Sequence, residues 1–210
     1  MKIPRALPRL RSLTHILRRR DGAAAIEFAI VASPFIFILF AIVELGIIFV
    51  TNINLSNATL LLARQIRTGG IIAPGSSATS SSGVTLSLAD FKQAICNKLP
   101  MVPAATCTTQ LQVDIRTQAA FGAASPNPST GSNFNNASFC YFSGAGGSIV
   151  EFHAYYLWPV ATPILLSALV NAKTYTAGGN TTSGSYYVLQ SAEAFKIEPN
   201  SSGGNSGAGC

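Results

Sequence analysis

The sequence predicts an α+β protein: a long N-terminal transmembrane helix followed by a small exported α+β domain on an antiparallel sheet. Three observations predict it. The run from Ala23 to Val50 is apolar and long enough to cross a bilayer. The excess positive charge is concentrated ahead of that run, and the rest of the chain is neutral. Behind it lie short strand and helix patterns, separated by Gly-, Ser- and Asn-rich loops and holding all four cysteines.

Residues 1–22 form a basic leader. They carry Lys2, Arg5, Arg9, Arg11, Arg18, Arg19 and Arg20 against one acid, Asp21, so their excess equals the whole formal charge of +6. From Ala23 onward seven basic residues balance seven acidic ones. A nucleic-acid footprint needs cations gathered on a folded surface; the sequence pI of 9.4 comes instead from the leader, and no nucleic-acid partner is expected.

The apolar segment, residues 23–50, would be about 42 Å long as a helix at 1.5 Å per residue. A hydrocarbon core is about 30 Å thick, and the apolar part of a cleaved secretory signal is only about 7–15 residues. A membrane span is therefore expected, with the bilayer as its first partner. Lys and Arg remain on the cytoplasmic side, so the leader is inside and everything after Val50 outside. In a Gram-negative cell this is a single-pass inner-membrane protein with a periplasmic C-terminal domain. Pro34 removes one helix hydrogen bond and is expected to bend the span without breaking it.

Two acids interrupt the run. With Ala23 at the inner interface, Glu44 falls near the outer headgroups and is expected to reach water. Glu27 lies only about 6 Å in, where a carboxylate is costly unless paired or neutral. A leader arginine reaching back is one solution. The other starts from Gly22: a cut after it makes Ala23 a new N-terminus with an α-ammonium and removes the seven leader cations. Glu27 is then the fifth residue of the shortened chain and can pair with the α-ammonium of an adjoining copy or partner helix. Ala23, Glu27 and Glu44 are the candidate subunit-pairing residues. Gly22, Ala23, Glu27 and Phe28 are the candidate processing residues.

Beyond the bilayer the pattern stays helical. Residues 51–69 read as a periplasmic extension of the same helix, with Ala58, Leu61, Leu62 and Ile66 at helical spacings. Arg64 and Arg67 sit in the last turn and Gly69 and Gly70 provide the stop, so one helix is expected over about Ala23 to Thr68. Residues 70–83 form a linker. Residues 84–210 form the periplasmic α+β domain with a flexible tail. A short helix is expected over Ala89 to Leu99. A strand over 110–117 alternates Leu111, Val113 and Ile115 against Gln112, Asp114 and Arg116, as a half-buried strand does. A long loop covers 122–138. A strand over 148–158, a helix within Pro159 to Asn171, and a last strand over 185–199 with a bulge at its alanines complete the domain.

Cys96, Cys107, Cys140 and Cys210 all lie on the predicted oxidising side, so disulfides are expected, with three connectivities open. The short loop containing Pro100 and Pro103 favours Cys96–Cys107, which leaves Cys140 with Cys210. No C-x-x-C is present, and His15 and His153 are the only histidines, so no metal is expected. G-x-S-x-G, H-E-x-x-H and P-loop patterns are absent. No catalytic residue, cofactor or small-molecule substrate is expected, and His153 reads as a sheet-face residue.

The basic leader ending in Gly22, with Glu27 five residues into the apolar helix, resembles the class III signal of type IV prepilins. The stretch GAAAIEFAIVASPFIFILFAIVELG, followed by ARQIRTG, resembles the TadE-like family of tight-adherence (Tad/Flp) pilus assembly proteins. The resemblance rests on Gly22, Glu27-Phe28 and Glu44-Leu45-Gly46. DFKQAIC, LQVDIRT, YYLWP and AFKIEP further along are similar too. Phe28 stands where the family's processing site often has Tyr. The resemblance implies a non-enzymatic pseudopilin, a minor pilin or assembly factor. Its implied partners are a prepilin peptidase, other pilins and Tad inner-membrane assembly proteins. The alternative is an uncleaved, membrane-anchored periplasmic binding or docking module.

Overall fold

A computed structural model describes residues 21–72, 84–122, 128–130, 133–142, 144, 146–177 and 179–199. The chain divides into two compact units, Met1–Val43 and Glu44–Cys210. Helix α1 spans Asp21–Arg67 and runs unbroken through Pro34. In the first unit, Phe28, Ile30, Val31, Phe35 and Phe40 of α1 are all exposed, as a helix made for lipid would be in the absence of a bilayer. The one apolar helix near the N-terminus suggests single-pass membrane anchoring.

In the second unit α1 becomes a core element. Glu44, Ile48, Thr51, Leu55, Ala58, Leu62 and Ile66 are buried, at spacings of three and four that draw one stripe along the helix. The threonines on this stripe satisfy themselves: the Thr51 and Thr59 hydroxyls donate to the carbonyls of Ile47 and Leu55, each at 2.8 Å. Leu61, read with Ala58, Leu62 and Ile66 at helical spacings, is exposed, because it falls about a quarter-turn off the stripe. The helix closes as a Schellman motif: Gly69 adopts φ 73°, its N–H donates to Ile66, and the Gly70 N–H donates to Gln65.

After α1, β1 (Ile71–Ile72) pairs in parallel with β2 (Val84–Thr85); residues 73–83 of the expected linker lie outside the described residues. Helix α2 (Leu88–Cys96) starts at Ser87, whose hydroxyl oxygen accepts from the Asp90 N–H, and buries Phe91 and Ile95. Helix α3 (Ala104–Gln110), which the sequence reading did not anticipate, carries Cys107. Cys96 and Cys107 form a disulfide with Cα atoms 5.9 Å apart. Cys140 is also disulfide-bonded; Cys210, its expected partner, lies outside the described residues.

The main sheet has six strands: β3 (Leu111–Gln118), β4 (Ser129–Thr130), β5 (Asn133–Asn135), β6 (Ile149–Pro159), β7 (Ala172–Ala177) and β8 (Asn180–Lys196). Their order is β3-β6-β8-β7-β5-β4. The helix α4 (Pro163–Leu169) connects β6 to β7. The sheet is mixed and not wholly antiparallel as expected, because β5 runs parallel to β7. No hairpin joins β5 to β7; the chain leaves β5 through residues 136–142 and crosses to β3, so nothing forces opposite directions. The expected loop over 122–138 thus contains β4 and β5. The expected bulge at the alanines of β8 is absent: Ala192 and Ala194 pair in register with His153 and Glu151, and the irregularity lies between Ala172 and Thr174 of β7.

Strand β6 is buried on both faces. Val150, Phe152, Ala154 and Tyr156 enter the large core with α1 and α2, while Tyr155 and Leu157 enter a second cluster with Phe134 and Ala172. Gln112 and Asp114 of β3, expected at the solvent face, are buried as well. The returning segment explains this: the Cys140 N–H donates to Asp114 Oδ1 at 2.8 Å, the Arg116 guanidinium pairs with Oδ2, and Arg116 Nη2 donates to the Ser138 carbonyl at 2.9 Å. Gly144 completes the return with φ 73°; a Cβ there would lie 2.5 Å from Thr117 Cγ2.

Candidate functional site

The candidate processing residues occupy the first turns of α1. Gly22 is half-buried in the opening turn, where backbone N–H groups have no intrahelical partner. Glu27 and Phe28 follow on the exposed surface of the helix. Among the described residues, no hydrogen bond or ion pair reaches the Glu27 carboxylate. The leader, including Arg18, Arg19 and Arg20, lies outside the described residues.

Glu44 is the opposite case. It heads the buried stripe of α1, and its relative exposure is 8%. Oε1 accepts the Ala161 N–H at 2.8 Å and Oε2 accepts the Thr162 N–H at 2.8 Å. Trp158 stands beside the same carboxylate, with its indole N–H buried. The expectation that Glu44 reaches water is therefore corrected. Its two oxygens hold the turn between β6 and α4 within the same chain, through charge-assisted bonds of the stronger kind. The signal in the sequence was the stripe itself, which extends from Ile66 back to position 44. Which backbone donors would meet the acid was not legible, since they lie more than a hundred residues away. Of the pairing candidates, Glu27 has no such internal partner among the described residues.

A polar cleft of about 720 Å³ lies in the second unit, lined by Leu88, Lys92, Gln112, Asn136, Tyr141 and Tyr175 among others. Lys92 Nζ donates to Gln112 Oε1 at 3.2 Å, and Asn136 Nδ2 donates to the same oxygen at 2.9 Å. Burial lowers the pKa of the Lys92 ammonium below the usual lysine value. Sequence reasoning missed this cleft, because its residues come from α2, β3 and the segments around β5 and β7.

His153 is buried on the second face of the sheet. Its Nε2 meets Glu151 Oε1 at 2.8 Å and its ring stacks on Tyr155 with centroids 5.8 Å apart. Gln118 Nε2 donates to the other Glu151 oxygen at 2.7 Å. This is the sheet-face role read from the strand pattern. Tyr141, Tyr155 and Tyr156 have pKa values pushed up to about 12, first by burial and, for Tyr141 and Tyr155, next by the Asp114 charge.

No curated protein and no solved structure matches the chain. A family model does match, from Gly22 to Arg64, over the stretch that holds Glu27, Phe28 and Glu44 and short of the sheet domain. Its family is described as TadE-like protein, and the similarity of this chain to it covers residues 22–64.

Proposed function

We propose that this chain is a non-enzymatic minor pilin, or pseudopilin, or an assembly factor of a Tad/Flp-type type IV pilus. The TadE-like family is pilus-associated and generally non-enzymatic, which supports the coarse assignment. The observation that carries the finer one is the contrast between the two glutamates within the TadE-like segment. Glu44 is satisfied internally, whereas Glu27 stands exposed and unpartnered among the described residues, five positions after Gly22. An unpaired acid in an apolar helix calls for a cation from elsewhere. A prepilin peptidase that cuts after Gly22 supplies one, the Ala23 α-ammonium of an adjoining pilin or Tad component. In this reading residues 1–22 are a cytoplasmic leader, the apolar helix spans the inner membrane, and the domain is periplasmic.

The test is a Glu27→Ala variant expressed in a piliated cell. It should insert into the membrane as well as the parent chain yet fail to co-purify with pilus assemblies, with recovery down about ten-fold, as expected for losing about 1.4 kcal/mol of pairing. Undiminished co-purification would remove the pairing role.

The second reading, an uncleaved anchored binding or docking module, is favoured by the cleft around Lys92. It requires that active protein keep its leader and that piliation survive deletion of the gene.

A further inference from the structure

A second contact with the bilayer is built into the domain, at the turn held by Glu44. The segment Pro159–Ala172, which contains α4, has no charged residue. It is nonetheless on the surface. Of the seven residues of α4 only Leu165 is buried, while Ile164 is 51% exposed and Leu166 37%. Pro159, Pro163 and Ala168 are exposed beside them. An uncharged helix that presents apolar side chains outward is unusual on a water-facing surface, where a polar face is expected.

Position along α1 says what meets it. Twenty residues separate Ala24 from Glu44; at 1.5 Å each they cover about 30 Å, the thickness of the hydrocarbon core. With Ala24 at the inner edge, Glu44 stands at the outer edge. The N–H groups of Ala161 and Thr162 lie 2.8 Å from its carboxylate, so the residue that opens α4 is fixed at the same level. Leu45 and Phe49, in the same unit, continue the exposed apolar surface along α1. Trp158, beside Glu44, is of the residue type enriched at this depth. The bonds to Glu44 also explain how an acid is tolerated at the hydrocarbon edge.

We propose that α4 lies in the outer headgroup and acyl boundary of the bilayer, so that the domain is held to the membrane surface beside its own helix. The occupant of the exposed face is lipid. This rests on the anchoring of α1 in the membrane, and the experiment separates the two.

Trp158 is the only tryptophan in the chain. The full-length protein is placed, one copy per disc, in nanodiscs of phosphatidylcholine brominated either near the headgroup end or near the terminus of the acyl chain. Bromine near the headgroup end should remove about half of the Trp158 emission, since interfacial helices sit about 5–10 Å into this boundary, and terminal bromine should remove far less. Because Trp158 is held at this depth by Glu44 of α1, the decisive reading is taken on α4 itself. In a Trp158→Phe chain, Ile164→Trp should be quenched likewise. The double substitution Ile164→Trp with Leu166→Glu, both at exposed positions, should restore most of that emission while the protein stays in the disc. Protein that fails to migrate with discs would overturn the anchoring itself. Protein that migrates with them but is unquenched, or is quenched only when several copies share a disc, would overturn the interfacial role of α4 and assign the face to another copy. Quenching indifferent to the double substitution would overturn it equally.

Discussion

Glu44 binds two backbone N–H groups at once, and truncating it leaves both donors without an acceptor in a dry place. Glu44→Ala should therefore destabilise the second unit by about 3 kcal/mol, the scale for bonds to a charged group plus unsatisfied donors. Glu44→Gln keeps one acceptor oxygen and should recover about half of that loss. Thermal unfolding of the full chain in detergent reads both; an unchanged midpoint for the alanine variant would contradict the role given to the carboxylate. The tyrosines permit a second test at this scale. Tyr141, Tyr155 and Tyr156 should resist ionisation until about pH 12, whereas an unfolded phenol ionises near 10. Because the folded values are raised, the stability linked to these three phenols is fully present below pH 10. It falls as the pH rises from 10 and is lost on passing about 12. Absorbance titration should show a late-ionising tyrosine fraction that includes Tyr141, Tyr155 and Tyr156 in the native protein and none after denaturation. A single native transition near pH 10 would contradict their burial.

At the scale of elements, local chemistry was readable and distant company was not. Gly69 and Gly70 announced the end of α1, because they act on their own backbone. The Cys96–Cys107 bond followed from a short loop between two cysteines that the charge pattern puts on the expected oxidising side. Removing it, as Cys96→Ala with Cys107→Ala, should cost about 3 kcal/mol by the closed-loop estimate; urea unfolding of the full chain would show it, and a change under about 1 kcal/mol would contradict the chain-entropy account. In contrast, the alternation of β3 misled. Gln112 and Asp114 look like solvent-facing positions, yet the chain returning through Cys140 covers them and supplies donors that only the folded topology brings near. The parallel direction of β5 has the same origin. A strand of three residues within a Gly- and Asn-rich stretch carries no periodicity to read.

For the whole molecule, one helix serves two solvents. Its first part is apolar on every side, and its second part carries a stripe that begins at Glu44 and enters the core of a sheet domain. The change of pattern along one unbroken helix was visible in the sequence as a long apolar run followed by polar residues at Thr51, Asn52 and Asn54. The candidate processing residues rest on sequence alone, since a basic block, a glycine and an early glutamate form a linear pattern. The polar cleft and the turn held by Glu44 were not legible there, because both are assembled from segments far apart in the chain. The proposed role joins these parts: a leader removed, an ammonium exposed, and an acid five residues on that waits for one from a neighbour. The mass of the protein purified from membranes of a cell with an active prepilin peptidase tests this most directly. The account predicts a mature chain that begins at Ala23, lacking residues 1–22; a chain that still begins at Met1 would contradict it.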